Sequence, residues 1–302
     1  MSEAQIRTEW PLAEVGQHVD DALLSDEAVA QTRAHPDFRA AIETHAAAAL
    51  RAFEAQDEAS RWLTRDLGRT SLYLAAAILD VDPVGLSVAS LAATAAATGV
   101  ASRGRVLAFV QYAQANGRLV IPPGAETWTR RQLVLRPPFF EPLRRQVQLG
   151  MNAAGMVAPE PRAALAWLKT DLAVSAAVAA AGRLLMFRPD LTRRHGARHE
   201  IFLDREGGML VLQYFLANQR PGRDRLLEDA KLSRAEISRR LGISRAHLNK
   251  LLGDAAEAGA LTFESADQVV FDPGLCEDAE RYFAGMFQTT RLVARAVLRA
   301  QM

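Results

Sequence analysis

Residues 233–261 read SRAEISRRLGISRAHLNKLLGDAAEAGAL, which is the pattern of a short helix, a glycine turn and a second helix. Ser233 is a favourable N-cap, and Glu236 follows it at the capping-box spacing. Gly242 can adopt the left-handed conformation that ends a helix, and Ser244 can cap the helix that follows. The second helix is expected to bury an apolar face formed by Leu248, Leu251, Leu252 and Ala255. The sequence therefore predicts two helices that meet at an angle.

The other face of the second helix carries side chains that suit contact with DNA. Arginine can make a bidentate contact with guanine in the major groove, and asparagine can make one with adenine. Small residues at positions 246 and 253 would let this helix lie close to the bases. The candidates for base contact are Arg245, Ala246, His247 and Asn249. The candidates for contact with the DNA backbone are Ser233, Arg234, Arg239, Arg240, Ser244 and Lys250.

The local charge favours this interpretation. Between Lys231 and Lys250, six basic residues stand against one acidic residue, Glu236, so the net charge is +5. A basic segment of this kind attracts phosphates. The alternative is an ordinary helical hairpin followed by a β-hairpin in a core, which does not need this charge.

Two short alternating runs follow the second helix, at residues 261–265 and 268–272, with a turn at Ala266–Asp267. Together with the sequence EIxxxLGISR around the helical turn, this stretch resembles the helix-turn-helix of bacterial winged-helix regulators, in the broad MarR-like and Crp-like group. The resemblance implies that double-stranded DNA is the partner. It also implies that the helix at residues 244–257 reads the major groove and that the hairpin is the wing.

The same pattern occurs earlier in the chain, where residues 86–119 can be aligned with residues 232–261. The offset is 146 at Leu86 and 142 from Ser102 onward, so the first copy has four additional residues (146 − 142), about one helical turn plus an adjustment in the loop. Strands of a second wing are predicted at residues 118–121 and 130–135. The candidates for DNA contact in this copy are Ser102, Arg103, Arg105, Gln111, Trp128, Arg130 and Arg131.

The two predicted reading surfaces differ in chemistry. Where the second copy has Asn249 and Lys250, the first has Leu107 and Ala108. The first copy therefore either contacts DNA mainly through the backbone or packs this face against protein, and the sequence leaves both open.

The predicted architecture is mainly α-helical with small β-hairpin wings, as tandem winged helix-turn-helix domains joined by a helical linker. The expected divisions are an acidic helical N-terminal segment at 1–60, a first winged-helix module at 61–137, a helical linker or spine at 138–200, a second winged-helix module at 201–275, and a C-terminal helix at 276–302.

Composition places the chain among ordinary globular proteins, since 49% of its 302 residues are hydrophobic and 24% are charged. Residues 1–60 hold twelve acidic and four basic residues, so this segment is expected to pack as helices or to bind a protein partner rather than DNA.

The single cysteine, Cys276, excludes an intramolecular disulfide and is compatible with a reducing cytoplasm. We expect a soluble protein of the bacterial cytoplasm, located on the nucleoid, because the N-terminal residues lack a signal-peptide pattern and the apolar run at 172–182 is too short for a membrane.

Helices are also expected outside the two copies. Two are predicted for the linker, at 138–157 and 161–187, the second being apolar almost all round. Small residues on that second helix predict a buried spine, and they are Ala173, Ala176, Ala177, Ala180 and Ala181. Amphipathic helices are predicted at 37–55 and 276–298. The resemblance implies that terminal or linker helices build a homodimer, and packing within one chain is the alternative.

Other functional classes have weak support in the sequence. His195 and His199 lie in a basic segment, 193–199, that is expected to be a solvated loop, with contact to the DNA backbone as the alternative. Too few ligands surround the two histidines for a metal site. Because no phosphate loop, nucleophile elbow or paired-carboxylate pattern is present, we expect no catalysis, metal or cofactor.

The predicted function is that of a sequence-specific transcriptional regulator. The alternatives are a plasmid-type replication initiator with tandem winged helices, and a protein-interaction scaffold built on the same modules.

Overall fold

The structure is a computed structural model that describes residues 21–124, 127–169, 173–174, 177–178, 181, 197–203, 205–219 and 226–299. This part of the chain is mainly helical, with 13 α-helices and two small antiparallel sheets. The prediction of a mainly helical protein with small β-hairpins is confirmed. None of the described helices is both long enough and apolar enough to cross a membrane.

The elements follow the chain in three groups. The first group is α1 Asp26–Arg33, α2 Phe38–Glu54, α3 Glu58–Thr64, α4 Leu67–Val81, α5 Val88–Thr98, α6 Arg103–Ala115, β1 Leu119–Val120 and β2 Val134–Leu135. The middle group is α7 Pro137–Ala154 and α8 Pro159–Ala164. The last group is α9 Ala197–Leu203, α10 Gly208–Ala217, β3 Asp229–Lys231, α11 Arg234–Leu241, α12 Arg245–Glu257, β4 Leu261–Ser265, β5 Gln268–Phe271 and α13 Pro273–Arg299.

The elements α10 to β5 are called the C-terminal unit here, and its helices α11 and α12 form where the local sequence signals predict them. The Ser233 hydroxyl accepts a hydrogen bond from the Glu236 amide at 3.4 Å and caps α11. Gly242 ends that helix in the left-handed conformation, with φ of 64°. The Ser244 hydroxyl then accepts from the His247 amide at 3.1 Å and caps α12. The two helices and their turn are therefore confirmed.

A three-stranded sheet completes the C-terminal unit. The β4–β5 hairpin turns at Ala266–Asp267, as predicted. A third strand, β3, pairs with β5 in the antiparallel register Ala230↔Val269, so the strand order is β3-β5-β4. This strand was not expected, because its three residues have no alternating pattern and pair only after the chain returns at β5.

The elements α4 to β2, which we call the N-terminal unit, repeat this order of elements except that none of the described residues between α4 and α5 forms a strand. Helix α5 has 11 residues and α11 has 8, and the turn from Gly99 to Ser102 is one residue longer than the turn from Gly242 to Ser244. The four additional residues of the first copy are thus three in the helix and one in the turn. The return segment pairs with the chain that precedes α5, through a hydrogen bond from the Leu133 amide to the Leu86 carbonyl at 2.7 Å.

The terminal helices bury their apolar faces within this one chain. Helix α2 packs against α7 and α10, and α13 packs against α1, α7, α8 and α9. Phe38 of α2 meets Phe287 of α13 edge to face, with ring centroids 5.9 Å apart. These helices therefore pack within the chain, and a homodimer built by them stays a prediction.

The prediction of one continuous linker helix from 161 to 187 is wrong. Helix α8 ends at Ala164, a 3-10 turn follows at Leu165–Trp167, and the chain turns again at residues 168–169. The turn places Leu168 in a small core with Val293 and Val297 of α13, and Arg144 donates to the Leu168 carbonyl at 3.4 Å. Ala177 is buried in that same core, whereas Ala176 and Ala180 lie outside the described residues.

The prediction of a solvated loop at 193–199 is wrong at its C-terminal end. Residues 197–199 open helix α9, and His199 is fully buried with its ring centroid 4.5 Å from that of Tyr282. His195 lies outside the described residues. Among the residues that the structure does describe, no group of three or more His, Cys, Asp or Glu side chains could hold a metal ion.

Candidate nucleic-acid interface

Helix α12 buries one face and exposes the other. Leu248, Leu251 and Leu252 are at most 1% exposed and pack into the core of the C-terminal unit. This packing fixes the rotation of the helix about its axis. The residues that it leaves exposed at the start of the helix are Ser244, Arg245, Ala246, Asn249 and Lys250. Three of the four predicted base-contact residues therefore share an exposed surface.

Gly253 lies on the same exposed face, between the directions taken by Ala246 and Asn249 around the helix. A Cβ atom added at this glycine would meet no other atom within 4 Å. Packing within the chain therefore does not require a glycine here. Because Ala246 and Gly253 are small, the surface at the centre of this face lies closer to the helix axis than the longer side chains around it.

His247 points away from this face. Its Nε2 lies 2.7 Å from the carbonyl oxygen of Glu206, in the turn before α10, and the side chain is half-buried. The ring therefore joins the start of α12 to the start of α10. The contact turns the ring away from Arg245 and Asn249, and base contact by His247 stays a prediction.

Arg234 connects α12 to the tip of the hairpin. Its Nε donates to Oδ1 of Asn249 at 3.0 Å, and an Nη donates to the carbonyl of Ala266 in the hairpin turn. Its guanidinium carbon also lies 5.4 Å from the ring centroid of Phe263, over the ring of that half-exposed side chain. Sequence reasoning placed Arg234 on the DNA backbone and did not find this bridge, which depends on the distance between the hairpin tip and α12.

Arg240 faces the body of the protein. Its Nε donates to Glu54 of α2 at 2.5 Å, an Nη donates to Glu236 at 3.4 Å, and the guanidinium lies over the Tyr214 ring at 5.4 Å. The hydrogen bond that Arg240 donates to Glu54 raises the pKa of Arg240 further, against the opposing effect of burial. Arg240 thus ties α11 to α2, and its contact with the DNA backbone stays a prediction.

The other predicted backbone-contact residues lie at the surface. Arg239 is exposed and makes no ion pair within the described part of the chain. Lys250 is also exposed, and its Nζ lies 3.5 Å from Oδ1 of Asp254. The oxygens of Ser233 and Ser244 serve as helix caps, which leaves each hydroxyl hydrogen available to an acceptor.

The corresponding face of the N-terminal unit carries fewer polar groups. Arg103 and Gln111 are exposed on α6 and Ser102 caps it, but the face between them presents Gly104 and Ala108. The Arg105 guanidinium lies 3.0 Å from where a Cβ of Gly68 would stand, so it reaches back towards the start of α4. His247 makes the corresponding contact in the C-terminal unit.

The loop between β1 and β2 holds the remaining predicted contacts of this unit. Trp128 is 42% exposed, Arg130 is exposed, and Arg131 is half-buried. The Thr129 carbonyl accepts from the Ala89 amide at 2.8 Å, so the loop folds back onto the start of α5. Trp128 and Arg130 therefore lie at the surface near the start of α5, whereas residues 125–126 are outside the described part.

A polar junction that the sequence did not reveal joins the two units. Arg65 and Arg69 each place an Nη atom 3.8 Å from Oε1 of Glu206. The Gly207 amide donates to the Arg65 carbonyl at 3.0 Å, next to the turn that His247 contacts. The two units thus meet at the starts of α4 and α10, where His247 anchors α12 and the Arg105 side chain of α6 also lies.

Comparison of the chain with protein-family models, with curated proteins and with solved structures found no significant match.

Proposed function

We propose that this protein is a sequence-specific DNA-binding transcriptional regulator, and that its N-terminal and C-terminal units are tandem winged helices. The order of elements in the C-terminal unit supports this: a helix, a strand, two helices joined by a glycine turn, and a hairpin whose second strand pairs with the first strand. The N-terminal unit has the same order of helices followed by a shorter hairpin, and none of its described residues forms a strand in the place of β3. In this proposal α12 is the recognition helix and the β4–β5 hairpin is the wing.

The observation that carries the proposal is the exposed face of α12. Helix α12 buries three leucines and exposes Arg245, Asn249 and Lys250. These side chains offer hydrogen-bond donors to base edges. They surround the small residues Ala246 and Gly253 at the centre of the face. The major groove admits an α-helix, and close approach of the helix axis lets short side chains reach the bases. Arg234 and Arg239 flank this face with positive charge suited to phosphates.

The test begins with selection of binding sites from a random duplex library by the full chain. On the selected duplex, Arg245→Ala and Asn249→Ala should each reduce discrimination between the best and a mismatched site by about 1–3 kcal/mol. Arg239→Ala should instead weaken binding to all duplexes alike and lower the salt slope by about 1. Fluorescence anisotropy over a salt series measures both quantities. Enrichment of no sequence, or unchanged discrimination in both α12 variants, would refute the proposal.

A second candidate function, a protein-interaction scaffold, is favoured by the face of α6. Gly104 and Ala108 stand there in place of Ala246 and Lys250, and Leu107 is half-buried in place of the exposed Asn249. Footprinting of the full chain separates the candidates. A second protected segment beside the one assigned to α12 indicates DNA contact by both units, whereas absence of any protected site indicates a scaffold. Protection at origin repeats rather than promoters would indicate a replication initiator.

The proposal needs only one copy of the chain, because two reading units are already joined within it. The partner it assigns is double-stranded DNA, it assigns no catalytic reaction, and it implies a place on the bacterial nucleoid. Genome-wide occupancy, measured by chromatin immunoprecipitation with sequencing, tests that location and identifies the regulated promoters.

A further inference from the structure

Arg234 occupies an unusual position, because one side chain contacts both Asn249 on α12 and the turn of the β4–β5 hairpin. An arginine side chain has only donors, so the atom of Asn249 that faces it must be the amide oxygen. The 3.0 Å bond to Oδ1 therefore sets which way the amide group of Asn249 is turned. The amide nitrogen, which carries two donors, is turned away from Arg234.

The hairpin also holds the Arg234 side chain in place. An Nη donates to the Ala266 carbonyl, and the guanidinium lies 5.4 Å from the Phe263 ring centroid. The carbonyl lies in the hairpin turn and the ring lies on β4. Two different parts of the hairpin therefore hold the guanidinium. The orientation of Asn249 thus depends on the position of the hairpin as well as on its own helix.

We propose that Arg234 is a positioning residue that orients the Asn249 amide to read adenine in the major groove, an inference that rests on the proposed DNA-binding function. Adenine presents N7 as an acceptor beside the N6 amino group as a donor. The amide nitrogen of Asn249 donates to N7, and the second lone pair of Oδ1 accepts from N6. Guanine is disfavoured because its O6 is an acceptor and would face that same oxygen.

The experiment uses the full chain and the duplex that it selects from a random library. Each adenine is replaced in turn by 7-deazaadenine, which exchanges N7 for a C–H group and leaves N6 and base pairing intact. The wild-type protein should lose about tenfold in affinity at one adenine, within the range of a base contact. Asn249→Ala should show no loss at that adenine.

Arg234→Lys keeps the positive charge but cannot hold both Asn249 and Ala266. The 7-deaza penalty should therefore fall to about twofold or less in this variant, while the salt slope stays that of the wild type. Arg239→Lys is the matched control, because Arg239 lies on the same helix and is exposed. This control should retain the full penalty.

Three results are distinguishable. A full penalty in Arg234→Lys, with or without a smaller salt slope, overturns the positioning role and makes Arg234 at most a phosphate contact. A selected duplex with no adenine that is sensitive to N7 removal overturns the adenine assignment and leaves sequence-specific binding standing. Enrichment of no duplex at all overturns the proposed function, and the inference with it.

Discussion

At the scale of single residues, Gly253 has a stability cost that packing in the chain does not explain. A glycine inside a helix is less stable than alanine by roughly 0.5–1 kcal/mol, and at this position a Cβ would meet open space. Gly253→Ala should therefore raise the free energy of unfolding by about that amount in urea titrations. If α12 lies on DNA as proposed, the added methyl group should at the same time weaken binding of the selected duplex by about tenfold.

Gly285 provides the matched control for this prediction. It lies within helix α13, far along the chain from α12, and a Cβ there would also meet no atom within 4 Å. Gly285→Ala should stabilise the protein similarly and leave the affinity for DNA unchanged. Equal affinities for the wild type and Gly253→Ala would show that the centre of the α12 face does not approach a partner closely.

At the scale of elements, the parts that the sequence predicts well are those set by local chemistry. Ser233, Gly242 and Ser244 cap or end helices through atoms within three or four residues, so their pattern predicts α11 and α12 closely. Other features depend on contacts between distant residues. The break after α8 and the short strand β3 each need a partner from elsewhere in the chain, and no local signal gives that partner.

The candidate site divides in the same way. The exposed set on α12 follows from the helical spacing of its leucines, which is visible in the sequence. The directions of His247 and Arg240 do not follow from it, since their partners Glu206 and Glu54 are 41 and 186 residues away. Helical spacing gives the face on which a side chain starts, whereas the final direction of a long side chain depends on which acceptors the fold brings near.

Arg118 shows this dependence in the N-terminal unit, where it holds three elements together. Its side chain is 6% exposed, and the guanidinium donates to the Asp57 carboxylate, to Ser60 Oγ at 3.0 Å and to the Pro138 carbonyl. Burial opposes ionisation of Asp57, but hydrogen bonds from Ser60 and the charge of Arg118 hold the pKa of that carboxyl below its usual range. The start of α3, the start of α7 and the residue before β1 are thus joined by one side chain.

Arg118→Met should destabilise the protein by about 2–3 kcal/mol, because it leaves the Pro138 carbonyl and the Ser60 hydroxyl without their charged donor. Equilibrium unfolding in urea measures the change. Arg136→Met, an exposed arginine beside β2, should have little effect. Equal unfolding midpoints for Arg118→Met and the wild type would contradict the anchoring role.

At the scale of the whole molecule, helix α2 joins the C-terminal unit to α7 and α13 through its packing. Glu54 near its end pairs with Arg240 of the C-terminal unit, and the Ala52 carbonyl accepts from Arg145 of α7 at 3.4 Å. In the middle of the helix, His45 is buried at the junction with α7 and α13, and its ring meets that of Phe283 with centroids 5.9 Å apart. A change at this junction therefore affects the stability of the whole chain.

Acid should weaken this junction. Burial lowers the pKa of His45 from 6.5 to about 4, although a hydrogen bond with the Leu149 backbone acts in the opposite direction. Between these two pH values the unfolded chain binds a proton at this residue and the folded chain does not, so the free energy of unfolding falls as the pH falls from 6.5 to 4. The difference in pKa corresponds to about 3 kcal/mol over that window.

Replacing His45 by glutamine should remove this part of the pH dependence. Glutamine can donate to the Leu149 carbonyl but does not titrate. Because its shape differs from that of histidine, His45→Gln should be less stable than the wild type at pH 7.5 by about 1 kcal/mol. As the pH is lowered towards 4.5 the gap should close and then reverse. Only in the wild type does the unfolded chain gain stability by binding a proton at residue 45, because the folded chain keeps this histidine neutral. Urea titrations at pH values from 4.5 to 7.5 give the comparison, and parallel curves for the two proteins would show that His45 is protonated in the folded chain as readily as in the unfolded one.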